Sequence, residues 1–410
     1  YPDQVVASGG NGNIVLNAGT DLVINDSGQP VDASVAGSGT ITANVAGNTQ
    51  VNANATVVSA GAAITFNTDD MAIDAAASIN AGSGTVTLQP TTASRAIDLG
   101  RNVANQLGLT DAELDRVTAG VVVVGSDAAG AITVSEAIHA AGTGTLHLIS
   151  GSTVGASGSG AITEANLAIE AGASVLLGVN ANSVGTLAID ANGNVAFKES
   201  NDLTIGSVDG VTGITATGTI DVTLIGAGAK LTIAGGASAT SSGGAHTYTA
   251  DKMELLGTIS AGSQTVTLKP NAAEAINLGS DVDTTANTLE LSDAELDHVT
   301  AGVVVVGRSG AGAITVSAAI DTTNTGTLHL ITGSTVDTSG SGAITEANLA
   351  IEAGGSVSLG VNANSVGTLA IDAGGNVAFE ESNDLTIGSV DGVTGITATG
   401  TIDITLIGAG

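Results

Sequence analysis

A block of 120 residues occurs twice in this chain. Residues 109–228 return 182 positions later as residues 291–410, and 102 of the 120 aligned pairs are identical, with no gap. Most substitutions fall in short clusters such as Ser126-Asp127-Ala128 against Arg308-Ser309-Gly310. These clusters are rich in residues that favour exposed turns, whereas the β-branched runs between them hardly change. A long fixed period predicts a repeat architecture.

The first hundred residues match the end of a further long repeat. Residues 12–24 align with 193–205, and Thr85–Pro90 aligns with Thr265–Pro270. We therefore predict a single continuous solenoid over residues 1–410, and its long repeats are 1–108 (partial), 109–290 (complete) and 291–410 (partial). The sequence begins at Tyr1 without a methionine or signal peptide, so we expect a processed product or a segment of a longer protein.

A shorter sequence period lies inside the long repeat. Leu-Ala-Ile-Glu at 167–170 recurs as Leu-Ala-Ile-Asp at 187–190, and Leu-Thr-Ile follows at 203–205. Apolar residues alternate with small polar ones, which is a strand pattern, and strands this short need neighbours at the same level. We predict coils of about 20 residues that stack in parallel, with Leu167, Leu187 and Leu203 at equivalent inward positions.

The predicted fold class is all-β. It is a right-handed parallel β-helix (β-solenoid) of roughly 20 coils, each about 4.8 Å from the last, with short helical corner insertions. The right hand follows from the rule for parallel crossovers. Hydrophobic residues make up 43% of the chain and aromatic residues only 1%. This composition fits a narrow interior of alanine, valine, isoleucine and leucine.

One element interrupts the short sequence period, at residues 109–115 and again at 291–297. Thr110 is followed three positions later by Glu113, which is the capping-box pattern, and acidic residues in a first turn suit a helix N-terminus. The motif predicts a helix of one to two turns at a corner. An alternative is a cation site formed by Asp111, Glu113 and Asp115. This alternative is less favoured because the glycine and distal glutamate of a calcium loop are missing.

Two stretches resemble a known family. Residues 111–120 read Asp-Ala-Glu-Leu-Asp-Arg-Val-Thr-Ala-Gly, and 201–215 read Asn-Asp-Leu-Thr-Ile-Gly-Ser-Val-Asp-Gly-Val-Thr-Gly-Ile-Thr. They resemble the β-helix repeat regions of filamentous-haemagglutinin-like large repetitive bacterial adhesins, and the resemblance covers nearly the whole chain. It implies a right-handed β-helix shaft, an extracellular or bacterial cell-surface location, and adhesive or matrix-building roles. That family's secretion domain is not evident, and no receptor-binding motif matches.

The charge is low in density but strongly acidic. The chain has 39 acidic and 8 basic residues, which give a net charge of −31. Nucleic acid and anionic lipid bind Lys/Arg patches, so we expect neither as a partner. No run of 18 apolar residues occurs, so we expect no membrane insertion. The absence of cysteine is compatible with an oxidising, extracellular setting.

Enzymatic activity is the less favoured alternative, although some β-helices act on polysaccharides. Such sites combine acid–base carboxylates with basic residues that hold an anionic sugar, and basic residues are scarce here. The histidines form no metal-ligand spacing; they are His139, His147, His246, His298 and His329. His147 and His329 lie in Thr-Leu-His-Leu strands at the polar phase, and we expect them to face solvent. We predict no catalytic, cofactor-binding or metal residues and no cofactor.

Carboxylates of adjacent coils are expected to stack. Glu170 and Asp190 share a phase one coil apart, as do Glu352 and Asp372. At a spacing of about 4.8 Å, the repulsion in water is about 1 kcal/mol per pair. One hypothesis is that calcium binds weakly along this face. The favoured interpretation is a solvated acidic surface that prevents aggregation.

Threonine-rich strands raise an ice-binding alternative. Thr-x-Thr occurs at Thr85–Thr87 and at Thr215–Thr217. An ice-binding face needs this pattern on coil after coil, and here it is irregular. We expect no thermal hysteresis.

The sequence favours a non-enzymatic structural shaft of a secreted or cell-surface bacterial adhesin or filament. The alternative is a self-assembling extracellular matrix or S-layer-like filament subunit that calcium stabilises. In both cases the expected partners are copies of itself or continuing coils, end to end, and an unidentified receptor. The length of the complete gene separates the two.

Overall fold

A computed structural model describes residues 6–8, 11–24, 32–35 and 38–408, with side chains for all of these except 6–8 and 32–35. The chain is an all-β parallel β-solenoid of about 17 turns with very little helix, which confirms the predicted fold class. It forms two compact units. The first is Tyr1–Lys198 with Ser207–Thr212, and the second is Glu199–Gly206 with Gly213–Gly410. Continuity over residues 1–410 stays a prediction.

The strands are short and numerous. Up to the first helix they are β1 (Val6–Ser8), β2 (Ile14–Ala18), β3 (Leu22–Ile24), β4 (Asp32–Val35), β5 (Ile41–Val45), β6 (Asn48–Val51), β7 (Thr56–Ser59), β8 (Ile64–Asn67), β9 (Asp70–Ile73), β10 (Ser78–Asn80), β11 (Thr85–Gln89), β12 (Ile97–Leu99) and β13 (Leu107–Leu109). The helix α1 (Asp111–Leu114) follows.

The next strands lead from the first helix to the second. They are β14 (Val117–Thr118), β15 (Val121–Ser126), β16 (Ile132–Val134), β17 (Thr145–Ser150), β18 (Val154–Ala156), β19 (Thr163–Ala171), β20 (Val175–Ala191), β21 (Val195–Glu199), β22 (Leu203–Ile205), β23 (Ser207–Val208), β24 (Val211–Thr212), β25 (Ile214–Ala216), β26 (Ile220–Leu224), β27 (Lys230–Ile233), β28 (Ser238–Ser241), β29 (His246–Thr249), β30 (Lys252–Leu255), β31 (Thr258–Ser260), β32 (Thr265–Lys269), β33 (Ala275–Leu278) and β34 (Thr288–Leu291).

The second helix and the remaining strands repeat the earlier order. They are α2 (Asp293–Leu296), β35 (Val299–Thr300), β36 (Val303–Arg308), β37 (Ile314–Val316), β38 (Ala319–Asp321), β39 (Thr327–Thr332), β40 (Val336–Thr338), β41 (Ala343–Ala353), β42 (Val357–Ala373), β43 (Val377–Glu381), β44 (Thr386–Ile387), β45 (Ser389–Val390), β46 (Val393–Thr394), β47 (Ile396–Ala398) and β48 (Ile402–Leu406). No helix among the described residues is long and apolar enough to cross a membrane.

Parallel pairing builds the core of the first unit as columns of inward side chains. One column runs through Ile14, Ile41, Ile64, Val86, Val122, Leu146, Leu167 and Leu187. Every member is buried. Consecutive members lie from 20 positions apart (Leu167 to Leu187) to 36 apart (Val86 to Val122). Insertions of this kind lengthen some coils and account for fewer turns than the roughly 20 predicted.

The second unit has a matching column with one polar member. It runs through Ile220, His246, Val266, Val304, Leu328, Leu349, Leu369 and Ile387. Leu369 pairs with Ile387, which is the counterpart of Ile205 in the 182-residue repeat. The predicted equivalence of Leu167 and Leu187 is confirmed. The predicted place of Leu203 is shifted by two residues, because in the second copy the residue that pairs with Leu369 is the counterpart of Ile205 and not of Leu203. Residues two apart in a strand face the same side, so Leu203 still points inward.

The longest strands exceed the predicted segments of three to five residues. Strand β20 has 17 residues and turns a corner without interruption. The buried Asn182 lies at this corner: its Nδ2 donates to the carbonyls of Leu177 (3.1 Å) and Lys198 (2.9 Å), and its Oδ1 accepts from Ile162 N (2.9 Å). Because this amide satisfies backbone groups of three segments, the corner can be buried.

Two tight hairpins leave the parallel sheet, and the predictions missed both. Strands β23 and β24 pair antiparallel, as do β45 and β46. The first hairpin turns at Asp209 (φ 45°) and Gly210 (φ 91°). Positive φ at both central residues is the type I′ turn that Asp-Gly favours. At its base, Gly213 N donates to Gly206 O at 2.7 Å, so the excursion starts and ends at one point of the sheet.

Candidate functional site: helical corners and hairpin-covered histidines

The Asp-Ala-Glu-Leu-Asp motif folds into the predicted corner helix and holds the next coil. Both copies form one helical turn with a complete capping box, as predicted. Three consecutive backbone N–H groups of the following coil each meet a different carboxylate. Asp111 accepts from His139 N (2.6 Å), Glu164 from Ala140 N (2.7 Å) and Asp115 from Ala141 N (3.1 Å). We call this arrangement the carboxylate claw.

Glu113 connects the same helix to the preceding coil. Its Oε2 accepts from Thr110 N (2.9 Å) and Thr110 Oγ1 (2.7 Å), and its Oε1 accepts from Ile73 N (3.1 Å). Glu295 accepts from Leu255 N in the same way at 3.1 Å. The carboxylates proposed as alternative cation ligands thus bind backbone and hydroxyl groups of three coils. Their arrangement gives the motif a structural role.

The glutamate of the claw has an unusual protonation equilibrium. Burial raises the pKa of Glu164 to about 7; the Ala140 N–H and His139 lower it, and Asp111 and Asp115 raise it further. Glu164 Oε2 is buried without a hydrogen-bond partner among the described residues. In the second copy, burial raises the pKa of Glu346 to about 7 as well, against hydrogen bonds from Thr322. The glutamate of the claw therefore gains or loses its proton close to neutral pH.

The expectation that His147 and His329 face solvent is wrong. Both residues point outward from their strands, yet their exposed fractions are 4% and 3%. His147 is followed on adjacent coils by Ala168 and Ala188, and Val208 of the hairpin lies on those alanines. The hairpin therefore covers an outward column that would otherwise meet water.

The hairpin tip contacts the histidine directly. Asp209 Oδ2 lies 2.8 Å from His147 Nδ1. On the other side of the ring, Glu170 Oε1 lies 3.1 Å from Nε2. This second separation is short enough for an ion pair but lacks hydrogen-bond geometry, so Nε2 has no hydrogen-bond partner among the described residues. His147 is thus buried between two carboxylates.

The second copy repeats this arrangement. Asp391 Oδ2 lies 2.7 Å from His329 Nδ1, and Glu352 Oε1 lies 3.3 Å from His329 Nε2. His329 Nε2 is likewise buried without a hydrogen-bond partner in the described part of the chain. The apolar side of this hairpin packs Val390 and Val393 on the alanine column.

The predicted stacking of carboxylates is confirmed. Glu170 pairs in register with Asp190, and Glu352 pairs with Asp372. In the first unit, both carboxylates line an open groove of about 320 Å³ together with Asp127 and Asn192. Ser309 replaces Asp127 in the second copy, so the first groove has one more acidic residue. Calcium binding on this face stays a hypothesis.

The other histidines have separate environments. His246 lies in the hydrophobic column, and burial lowers its pKa to about 4. Its ring contacts Tyr248, whose hydroxyl lies 3.2 Å from His246 Nδ1, and burial raises the pKa of that hydroxyl. His139 Nδ1 lies 2.8 Å from Thr163 O, and His298 Nδ1 lies 2.6 Å from Leu255 O.

Sequence reasoning missed the hairpins and therefore the burial of the histidines. The signal was present as Val208-Asp209-Gly210-Val211, because Asp-Gly between β-branched residues is a strong hairpin indicator. Within the described ranges, no group of three or more His, Asp or Glu side chains could hold a metal ion. The expectations of no enzymatic activity and no cofactor stay predictions.

Comparisons with known proteins leave the family open. No protein-family model, no curated protein and no solved structure matches this chain.

Proposed function

We propose that this chain is part of the structural shaft of a secreted or cell-surface bacterial adhesin or filament, without enzymatic activity. The repeated coil is the functional unit: each coil lengthens the shaft and so increases the distance between the parts of the protein at its two ends. The resemblance of residues 111–120 and 201–215 to filamentous-haemagglutinin-like adhesins supports the surface location.

One observation in the second unit carries this proposal. Identical residues are buried in the first copy of the repeat and exposed in the second. Ile205, Ile220 and Leu224 are at most 1% exposed, whereas their counterparts Ile387, Ile402 and Leu406 are 53%, 46% and 55% exposed.

The difference arises from whether another coil lies above. Ile205 pairs with Ile233, and Ile220 pairs with His246. Ile225 provides the internal comparison, because it is 45% exposed and its counterpart Ile407 is 55% exposed. The coil face that carries Ile220 is therefore a stacking surface, and a protein built from such surfaces suits a shaft.

A second candidate is a self-assembling matrix or S-layer-like filament subunit. The parallel pairing between coils favours it, since the strand edge of one molecule accepts the edge of another in the same way. Calcium would stabilise such fibres by relieving repulsion between Glu170 and Asp190 and between Glu352 and Asp372. In this candidate, copies of the chain replace covalently continuous coils.

Immunogold electron microscopy of the source cells tests the proposal. Antibodies against this chain should label filaments or a layer outside the cell envelope. The purified chain, imaged by negative stain with and without calcium, separates the candidates: fibres at micromolar concentration support the subunit, and discrete particles support the shaft. Label confined to the cytoplasm, or measurable polysaccharide cleavage by the purified chain, would overturn both.

A further inference from the structure

The Nε2 atom of His147 is buried and has no hydrogen-bond partner among the described residues. A carboxylate can only accept, so the 2.8 Å contact between Asp209 Oδ2 and Nδ1 places a proton on Nδ1. Nε2 is then the nitrogen that lacks a donor or acceptor of its own, and Glu170 Oε1 lies 3.1 Å from it. Two electron-rich atoms at this distance repel each other unless a cation lies between them.

A proton on Nε2 would not complete the arrangement. The two atoms lack hydrogen-bond geometry, and Nε2 is buried without a hydrogen-bond partner among the described residues. The second copy has the same incomplete contact, with 3.3 Å between His329 Nε2 and Glu352 Oε1.

The two distances match the edge between neighbouring ligands of one metal ion. Ligand atoms about 2.1 Å from a divalent ion stand about 3.0 to 3.4 Å apart in octahedral or tetrahedral geometry. A histidine that ligates through Nε2 generally donates its other N–H to a carboxylate, as His147 does to Asp209. The ring is thus oriented as it is in metal centres.

We propose that His147 Nε2 with Glu170, and His329 Nε2 with Glu352, each bind one divalent transition-metal ion such as zinc, with water in the remaining positions. Imidazole is a ligand for zinc, copper and nickel, whereas calcium takes oxygen ligands. Glu170 of the first site lines the open groove that also contains Asp190. That groove gives a hydrated cation access, and the charge of Asp190 lies one coil away. This proposal does not depend on the proposed function.

Cobalt(II) is the probe for the site, because imidazole ligation changes its visible absorption. The full chain is treated with EDTA, dialysed and titrated with CoCl₂, and metal content is then measured after equilibrium dialysis with ZnCl₂. We expect two ions per chain, one per chain for Glu170→Gln, and none at these sites for Glu170→Gln with Glu352→Gln. Calcium should not compete.

Two control variants make the outcome decisive. Asp190→Asn removes one charge from the same groove but no ligand, so it should weaken binding by at most a few-fold and keep two ions. His139→Gln removes a half-exposed imidazole and should also keep two. Circular dichroism checks the fold of each variant. Failure of the wild-type chain to bind, or equal loss in Glu170→Gln and Asp190→Asn, would overturn the proposal.

Discussion

The carboxylate of Asp391 lies 2.7 Å from the Nδ1 atom of His329, although 62 positions separate them in sequence. A hairpin crosses the outer face of several coils to make this contact. The contact is repeated by Asp209 and His147 at 2.8 Å. Each hairpin is thus an outer layer on a fold whose other strands pair in parallel, and its tip has a charged anchor.

Replacing Ala168 by leucine should displace the first hairpin. Ala168 is fully buried under Val208, so extra methyl groups would lift the hairpin at a cost of about 1–3 kcal/mol. Amide hydrogen exchange should accelerate across residues 206–213. The hairpin at 388–395 in the same molecule is the matched control and should be unaffected. Equal protection of both hairpins would contradict the packing.

Substitutions of Asp209 should separate its charge from its backbone conformation. Asn tolerates positive φ far better than Ala does. Asp209→Asn should therefore keep the turn and replace a charge-assisted hydrogen bond to the buried His147 with a neutral one, at a cost of about 1 kcal/mol. Asp209→Ala should cost more because it also strains the turn. The free energy of opening from hydrogen exchange gives the ranking, and a reversed order would mean that the turn is not strained.

Most of the architecture could be predicted from the sequence because strand phase and repeat period are local patterns. The alternation around Leu167 and Leu187 gives the inward column and the parallel pairing. The capping box at Thr110 and Glu113 gives the corner helix. The burial of His147 could not follow from its strand, because it depends on Val208 and Asp209 three coils later. Outward phase predicts exposure only where nothing lies on the sheet.

Mild acid should stabilise the fold. The pKa values of Glu164, Glu346 and Glu274 are raised from 4.5 to about 7. Each group contributes stability that is full below pH 4.5 and is lost as the pH rises through about 7. The melting temperature should therefore rise as the pH is lowered from about 8 to about 5.5, as thermal denaturation across that range would show.

Variants identify the groups responsible for this slope. Glu164→Gln and Glu346→Gln keep an oxygen for the loop amides but no longer titrate, so each should remove part of the slope and the double variant more. His246 acts in the opposite direction: its pKa falls from 6.5 to about 4. Its stability contribution is present above pH 6.5 and is lost as the pH falls through about 4. An unchanged slope in the double variant would contradict the assignment.

Exchanging one residue between repeats should change the charge pairing at Asp251. Asp69 of the first unit forms an ion pair with Arg95 (3.8 Å). Asp251 corresponds to Asp69, and Glu274 corresponds to Arg95. Burial and then the hydrogen bond with Asp251 raise the pKa of Glu274. Glu274→Arg should therefore raise stability by up to about 1 kcal/mol at about pH 8, and less at about pH 5. The reciprocal Arg95→Glu should lower it, and thermal denaturation at both pH values measures each effect.

The stacking surface makes two identical isoleucines unequal. Ile220 is 1% exposed beneath the next coil, and Ile402 is 46% exposed in the same local sequence. Ile220→Lys should bury an unpaired charge and destabilise by more than about 4 kcal/mol. Ile402→Lys should cost about 1 kcal/mol or less.

The Ile402→Lys variant also tests whether the exposed face joins molecules. If copies associate through this face, Ile402→Lys should reduce self-association in sedimentation velocity experiments, because it places a charge where an apolar strand edge would dock. Val282→Lys is the control, since Val282 is 57% exposed outside the strands of the stacking surface, and it should leave association unchanged. Equal destabilisation by Ile220→Lys and Ile402→Lys would show that coverage by the next coil does not explain the burial of Ile220. Equal association of the two exposed-site variants would place the contact between molecules elsewhere.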